Sequence, residues 1–159
     1  MELRMNLFGN EIGTKIGKRI YAVSQVIQES PLPKTTQELV QLRASQINGC
    51  GFCVDMHTKD AAHQGETATR LNLIAVWREA TVFTEAERAA LELAEQGTRT
   101  ADGGGGVPDE VWANAAKHFD EEQLAALAGT IALINAFNRM NAIVKQPTAG
   151  DYQPGQVLI

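Results

Sequence analysis

The chain has 159 residues, 44% of them hydrophobic and 21% charged, with a formal net charge of -5. A chain of this size buries enough surface for one self-sufficient core, and its composition excludes a disordered or fibrous protein. The 14 lysines and arginines are scattered singly, so no basic stripe is available to neutralise a phosphate backbone, and nucleic acid is excluded as a partner.

Charges interrupt each short apolar stretch of the N-terminal residues, unlike the apolar core of a secretory leader. The longest uncharged stretch, residues 124–138, is too short to cross a bilayer and reads as a buried helix. A cytoplasmic location without membrane association is therefore expected. Helix signals recur throughout, and no alternating run rich in Val, Ile and Thr argues for a strand, so the expected class is all-α. A single helical domain over residues 1–145 and a C-terminal tail over residues 146–159 are expected.

The first helix is expected over residues 11–28, with Ile12, Ile16, Ile20 and Val23 on one face and Pro31 and Pro33 ending it. The second starts after Pro33. Thr35 as N-cap with Glu38 at N3 has the form of a capping box, and Asn48-Gly49 supplies the terminator. A third runs over residues 50–64 to Gly65, and a further helical stretch covers residues 68–77. Thr84 with Glu87 opens a helix ending at Gly97. Gly103 to Gly106 read as a flexible loop. Pro108 suits the first turn of a helix through His118, and Asp120 with Gln123 opens the last helix, which reaches Val144. The tail, with Pro147, Gly150, Pro154 and Gly155, is compatible with docking on a neighbouring subunit or with mobility.

The chain has only two cysteines, and they stand three apart as Cys50-Gly51-Phe52-Cys53. In a cytoplasmic protein this points to redox or metal chemistry and away from a structural staple. At about 100° per residue, Cys50, Cys53 and His57 share one narrow helix face, whereas His63 falls about 240° from His57. Cys50 would lie near a helix N-terminus, where free amides and the macrodipole favour a thiolate. His57, one turn beyond Cys53, can accept the thiol proton or stabilise the thiolate as imidazolium. Glu38 and Asp60 are the carboxylates that could orient the imidazole.

Each assignment has a plainer rival: a capping role for Glu38, a satisfied half-buried ring for His57, inert buried thiols for the pair. Cys50, Cys53, His57 and Glu38 could also ligate zinc, although no second cluster closes a structural site. His118, Trp77, Trp112 and Phe137 read as core or interface.

The stretch from Glu38-Leu39-Val40-Gln41-Leu42-Arg43 through Ile47-Asn48-Gly49-Cys50-Gly51-Phe52-Cys53-Val54-Asp55-Met56-His57 resembles the core motif of the AhpD-like alkylhydroperoxidase branch of the carboxymuconolactone decarboxylase family. The likeness extends through Trp77-Arg78-Glu79, Phe83 to Arg88, and Ile134 to Arg139. The resemblance implies an all-helical subunit assembled into trimers or hexamers, and thiol-dependent peroxidase activity with no bound cofactor. Cys53 and Cys50 match the family's redox pair, and His57 and Glu38 its proton relay. Phe52 stands where the best-known branch has a histidine, so a relay through that position is shortened or rerouted. The implied cycle takes a hydroperoxide as substrate and an external dithiol, lipoyl or thioredoxin-like, as reductant. Helix position favours Cys50 as the more acidic thiol; nearness to His57 and the resemblance favour Cys53 as the attacking one, and Cys53 is chosen. Rival functions are a disulfide reductase or redox sensor on the same pair, a scaffold with inert cysteines, and a decarboxylase, against which the cysteine pair argues.

Overall fold

The computed structural model describes residues 2–103, 105–147 and 150–156. Among these residues there are seven α-helices and no strand: α1 (Glu11–Glu29), α2 (Lys34–Asn48), α3 (Gly51–His63), α4 (Ala68–Leu73), α5 (Glu85–Thr98), α6 (Asp109–Ala115) and α7 (Glu121–Val144). The all-α class is as expected. α2 forms the centre of the bundle, packed against α3, α5 and α7.

Two apolar clusters flank α2. Val40 joins Leu93, Val111, Phe119, Leu127 and Ile131 on one side, while Leu39 and Leu42 join Leu71, Ile74, Trp77 and Leu91 on the other. Burying a side chain of this kind stabilises the fold by about 1.5–3 kcal/mol before conformational entropy is counted. α5 and α7 approach closely at Gly97, where a Cβ would stand 2.9 Å from Ile131 Cγ2. Gly97 therefore serves packing, and the helix closes one residue later at Thr98, within a residue of the expected end.

The capping boxes at Thr84 and at Asp120 are both formed. The one expected at Thr35 is not. α2 begins at Lys34 with Pro33 in the N-cap position and no side-chain cap; the Pro33 carbonyl accepts from Gln37 N–H at 3.0 Å. Glu38 is then the fifth helical residue, too deep to reach back to the helix start. Its carboxylate is left for another partner.

Two further readings change. The stretch after α4 tightens into a 3₁₀ turn at Ile74–Val76, and Pro108 precedes α6 as its N-cap. His118 is exposed, as is Trp112, whereas Trp77 is buried. The apolar stripe of α1 exists but is largely uncovered: Ile12, Ile16 and Val23 are 64%, 42% and 50% exposed, and the buried residues of the helix are Gly13, Gly17 and Ile27. No helix among the described residues is long and apolar enough to cross a membrane.

Candidate dithiol site

The α2–α3 junction delivers the cysteines. Gly49 adopts a left-handed conformation, φ 67°, which a side chain would resist. The Cys50 N–H wraps back to the Ser45 carbonyl at 3.0 Å, closing α2 in the manner of a Schellman turn. α3 starts immediately afterwards, with Cys50 itself as N-cap and its Sγ accepting from the Cys53 N–H at 3.3 Å. Cys50 thus occupies the helix entrance, one residue outside the regular turn expected of it.

Cys50 and Cys53 are joined as a disulfide, with their Cα atoms 5.3 Å apart. Both are buried, Cys50 at 5% and Cys53 at 1% exposure, against Ala44 and Ile134, with Phe52 packed on the same cluster. Asn141 of α7 donates to Cys53 Sγ at 3.3 Å and lies 3.8 Å from Cys50 Sγ. An amide donor aimed at sulfur stabilises a thiolate more than a thiol.

One turn along α3, the buried His57 places Nδ1 2.9 Å from Glu38 Oε2 of α2. A carboxylate there fixes Nδ1 as the protonated ring nitrogen and leaves Nε2 as the acceptor when the ring is neutral. Nε2 is buried and has no hydrogen-bond partner among the described residues. An unpaired buried acceptor is costly unless chemistry supplies its partner. Asp60 stands on the next turn, and Glu38, His57 and Asp60 present atoms within 4.8 Å of one another. These three could hold a cation, but Glu38 already engages His57, and Asp60 is bonded by Tyr152 and the Gly155 N–H.

A groove of about 830 Å³ opens over this site, bordered by α1, α2, α3, α7 and the tail. Its apolar wall includes Phe52, Met56, Leu133, Ile134 and Phe137, and Cys53 is the one cysteine among its lining residues. His57, Glu38 and Asp60 share that lining. His63 borders the groove too, farther along α3 than the dithiol.

Beneath the cysteines, Asn48 donates to both Asn135 and Asn138 at 2.9 Å, Asn138 donates to Ser45, and Asn135 to Thr98. This network locks the end of α2 to α7 and α5, so that the Gly49 turn is held from below. Sequence reasoning missed Asn141. Its signal was available: Asn135, Asn138 and Asn141 recur every third residue along the second half of α7, placing polar groups near one face.

Fold and site together define an all-helical dithiol protein, with the CxxC pair at a helix entrance and a histidine–carboxylate pair one turn away. The chain belongs to the carboxymuconolactone decarboxylase family, whose sequence profile matches residues 17–96, a span holding Glu38, Cys50, Cys53 and His57. The uncharacterized protein YdfG of Bacillus subtilis is 39% identical over 131 residues, 82% of this chain and 88% of that protein. Alkyl hydroperoxide reductase AhpD of Methylocella silvestris is 40% identical over 65 residues, 38% of this chain and 36% of that one. A solved structure from Agrobacterium tumefaciens, of unknown function with AhpD-type antioxidant defence as its suggested role, superposes with a TM-score of 0.87 and 34% identity, covering 94% of this chain and all of that one. The fold is AhpD-like.

Proposed function

We propose that the protein is a thiol-dependent hydroperoxide reductase whose Cys53 attacks and whose Cys50 resolves. The observation that carries this reading is the buried His57 ring, paired through Nδ1 with Glu38 and left unpartnered at Nε2, one helical turn from the dithiol. A neutral imidazole so held can take the Cys53 proton and return it to a leaving oxygen.

In the reduced protein the Cys53 thiolate attacks the distal oxygen of a hydroperoxide. The O–O bond breaks, Cys53 becomes a sulfenic acid, and the departing alkoxide takes the proton from His57 and leaves as an alcohol. The Cys50 thiol then attacks the sulfenic sulfur; the disulfide forms and water departs. Two thiols and one hydroperoxide give one disulfide, one alcohol and one water. Reduction requires an external dithiol acting by exchange through a mixed disulfide. Glu38 holds the ring, and Phe52, which offers no proton site, makes the relay run through His57 and Glu38 alone.

Cys53 is favoured as the attacking thiol because it lines the groove and receives the shorter contact from Asn141. Both cysteines are too enclosed to meet a flat protein surface. A slender arm such as a lipoyl group, which can enter the groove, is therefore favoured over a thioredoxin-like face as the reductant. The exposed stripe of α1 supports assembly into a homo-oligomer, with a trimer or hexamer as the family expectation. Such a cycle suits a reducing compartment such as the cytoplasm.

The test is consumption of an organic hydroperoxide by the purified protein with dihydrolipoamide or reduced thioredoxin. Turnover with the former and little with the latter is expected. Reversible disulfide formation without turnover on any donor would favour the redox-sensor reading.

A further inference from the structure

Asp60 is the site's second carboxylate, and the hydroperoxide cycle gives it no task. It follows His57 by one turn of α3, and its carboxylate lies within 4.8 Å of the His57 and Glu38 groups. One imidazole thus faces two acids, yet only Glu38 accepts the Nδ1 proton, at 2.9 Å. The oxygens of Asp60 are engaged from the opposite end of the sequence. The Tyr152 hydroxyl donates its one proton between them, at 3.0 and 2.9 Å, and the Gly155 N–H is a second donor at 3.1 Å. Tyr152 is 5% exposed, and Lys59 Nζ fastens the start of the segment by donating to the Gly150 carbonyl at 2.9 Å. Residues 150–156 are therefore a strap across α3 within their own chain.

We infer that Tyr152 is a positioning residue: by holding Asp60 it leaves Glu38 as the carboxylate that pairs with His57, and thereby sets how strongly the imidazole holds a proton. This rests on the hydroperoxide-reductase reading for its purpose, though not for its test. Hydrogen bonds into a carboxylate draw its charge toward the donors and weaken the field at a neighbouring cation. With the phenol in place, Asp60 adds little to the attraction Glu38 exerts, and His57 can still release its proton to a leaving oxygen. Without it, Asp60, held only by the Gly155 N–H, would join Glu38 in holding the imidazolium too firmly. Burial and the neighbouring Asp60 carboxylate raise the Tyr152 phenol above its ordinary value, so it remains a protonated donor through neutral pH. The other titratable groups bordering the groove are Tyr21 of α1, Lys34 of α2, His63 of α3 and Asp151 of the strap, and none of these bonds His57 or Asp60 in the structure.

The test is an NMR pH titration of the His57 ring in the full-length oxidised protein, where the disulfide removes any thiol titration. Tyr152→Phe keeps the ring and deletes the donor; it should raise the His57 midpoint by about half a pH unit to one unit, whereas Asp60→Asn, whose charge the phenol already draws away, should lower it only slightly. In the Asp60→Asn background, Tyr152→Phe should then change nothing further, because its route of action is gone. An unmoved midpoint in Tyr152→Phe, or an equal shift in both backgrounds, would overturn the inference. Peroxide turnover plays no part in this readout. A wild-type protein inactive toward hydroperoxides would sink the proposed function while leaving the titration to decide the role of Tyr152.

Discussion

Glu95 of α5 and Glu38 of α2 are both drawn into the bundle, and the interior meets them in opposite ways. Glu95, only 2% exposed, accepts from Arg43 Nε at 2.6 Å, from Trp77 Nε1 at 2.9 Å and from Arg78 at 2.5 Å, with Arg99 at 3.7 Å. Burial pushes its carboxyl up, but the hydrogen bonds from Arg78, Trp77 and Arg43 outweigh that and hold it below its ordinary value of 4.5. The guanidinium of Arg78 also lies over the Trp77 ring, 4.3 Å from its centroid. The carboxylate is met by several donors, and no buried polar side-chain atom of the cluster lacks a partner among the described residues. Glu38 instead has one principal partner, His57, whose other nitrogen is empty beside a groove. Burial and charge are common to the two regions. What separates scaffold from candidate chemistry is the unmet valence next to an opening.

The difference can be broken most decisively at sulfur. Cys53→Ser should abolish hydroperoxide turnover, a loss of about a thousandfold or more, with the melting temperature little changed. Cys50→Ser treated with one equivalent of peroxide should leave a trappable sulfenic acid on Cys53; a stable sulfenate found instead on Cys50 in the Cys53→Ser protein would reverse the assignment. His57→Ala comes next, with a loss of about 10²–10⁴-fold in the oxidation rate and a flattened pH profile. An unchanged profile in stopped-flow oxidation would remove its role. At the other carboxylate the effect should fall on folding. Glu95→Ala takes the shared carboxylate from Arg43, Trp77 and Arg78, leaves a void and should cost about 3–5 kcal/mol in urea denaturation, while the thiols of the surviving folded protein keep their reactivity.

Acid sharpens the same contrast. Because the folded-state value of Glu95 is depressed, its stabilisation is fully present above the ordinary 4.5 and is lost as pH falls through the folded value. Denaturation midpoints should therefore drop as the pH falls below 4.5, and Glu95→Gln should flatten that part of the curve. A slope identical in the variant would show that other carboxylates carry the acid sensitivity.

Much of this architecture was legible in residue order because local rules set it. The capping boxes at Thr84 and Asp120 and the Gly49 terminator each act within a few residues, and the CxxC-to-His57 spacing is fixed by helical pitch. The misreadings arose where neighbouring signals compete or where distant chain decides. Pro33 took the α2 N-cap from Thr35 and so freed Glu38, which local pattern alone could not distinguish from a cap. Gly97 marks the helix end to within one residue, but its close approach to Ile131 of a distant helix is not announced by the local sequence. Glu95 carries no motif, since its arginines come from three different segments. Asn141 and Tyr152 lie about 90 residues from the groups they touch, and no periodicity spans that gap.

The smallest expected effect lies at Asn141, and it asks whether the dithiol site is tuned or merely packed. Its amide approaches Cys53 Sγ at 3.3 Å from α7, outside the CxxC helix and outside the span that matches the family profile. A donor to sulfur is worth about 1 kcal/mol, more when the acceptor is charged. Asn141→Leu keeps the volume and removes the donor, so the Cys53 thiolate should become harder to form. The rate of alkylation of the reduced protein, followed across pH, should show its midpoint move upward by about half a unit to one unit. Peroxide turnover at neutral pH should fall only severalfold, because His57 and the helix entrance still favour the thiolate. An unmoved alkylation midpoint would reduce Asn141 to a packing residue, and the distinction from Glu95 would then rest on His57 and the groove alone.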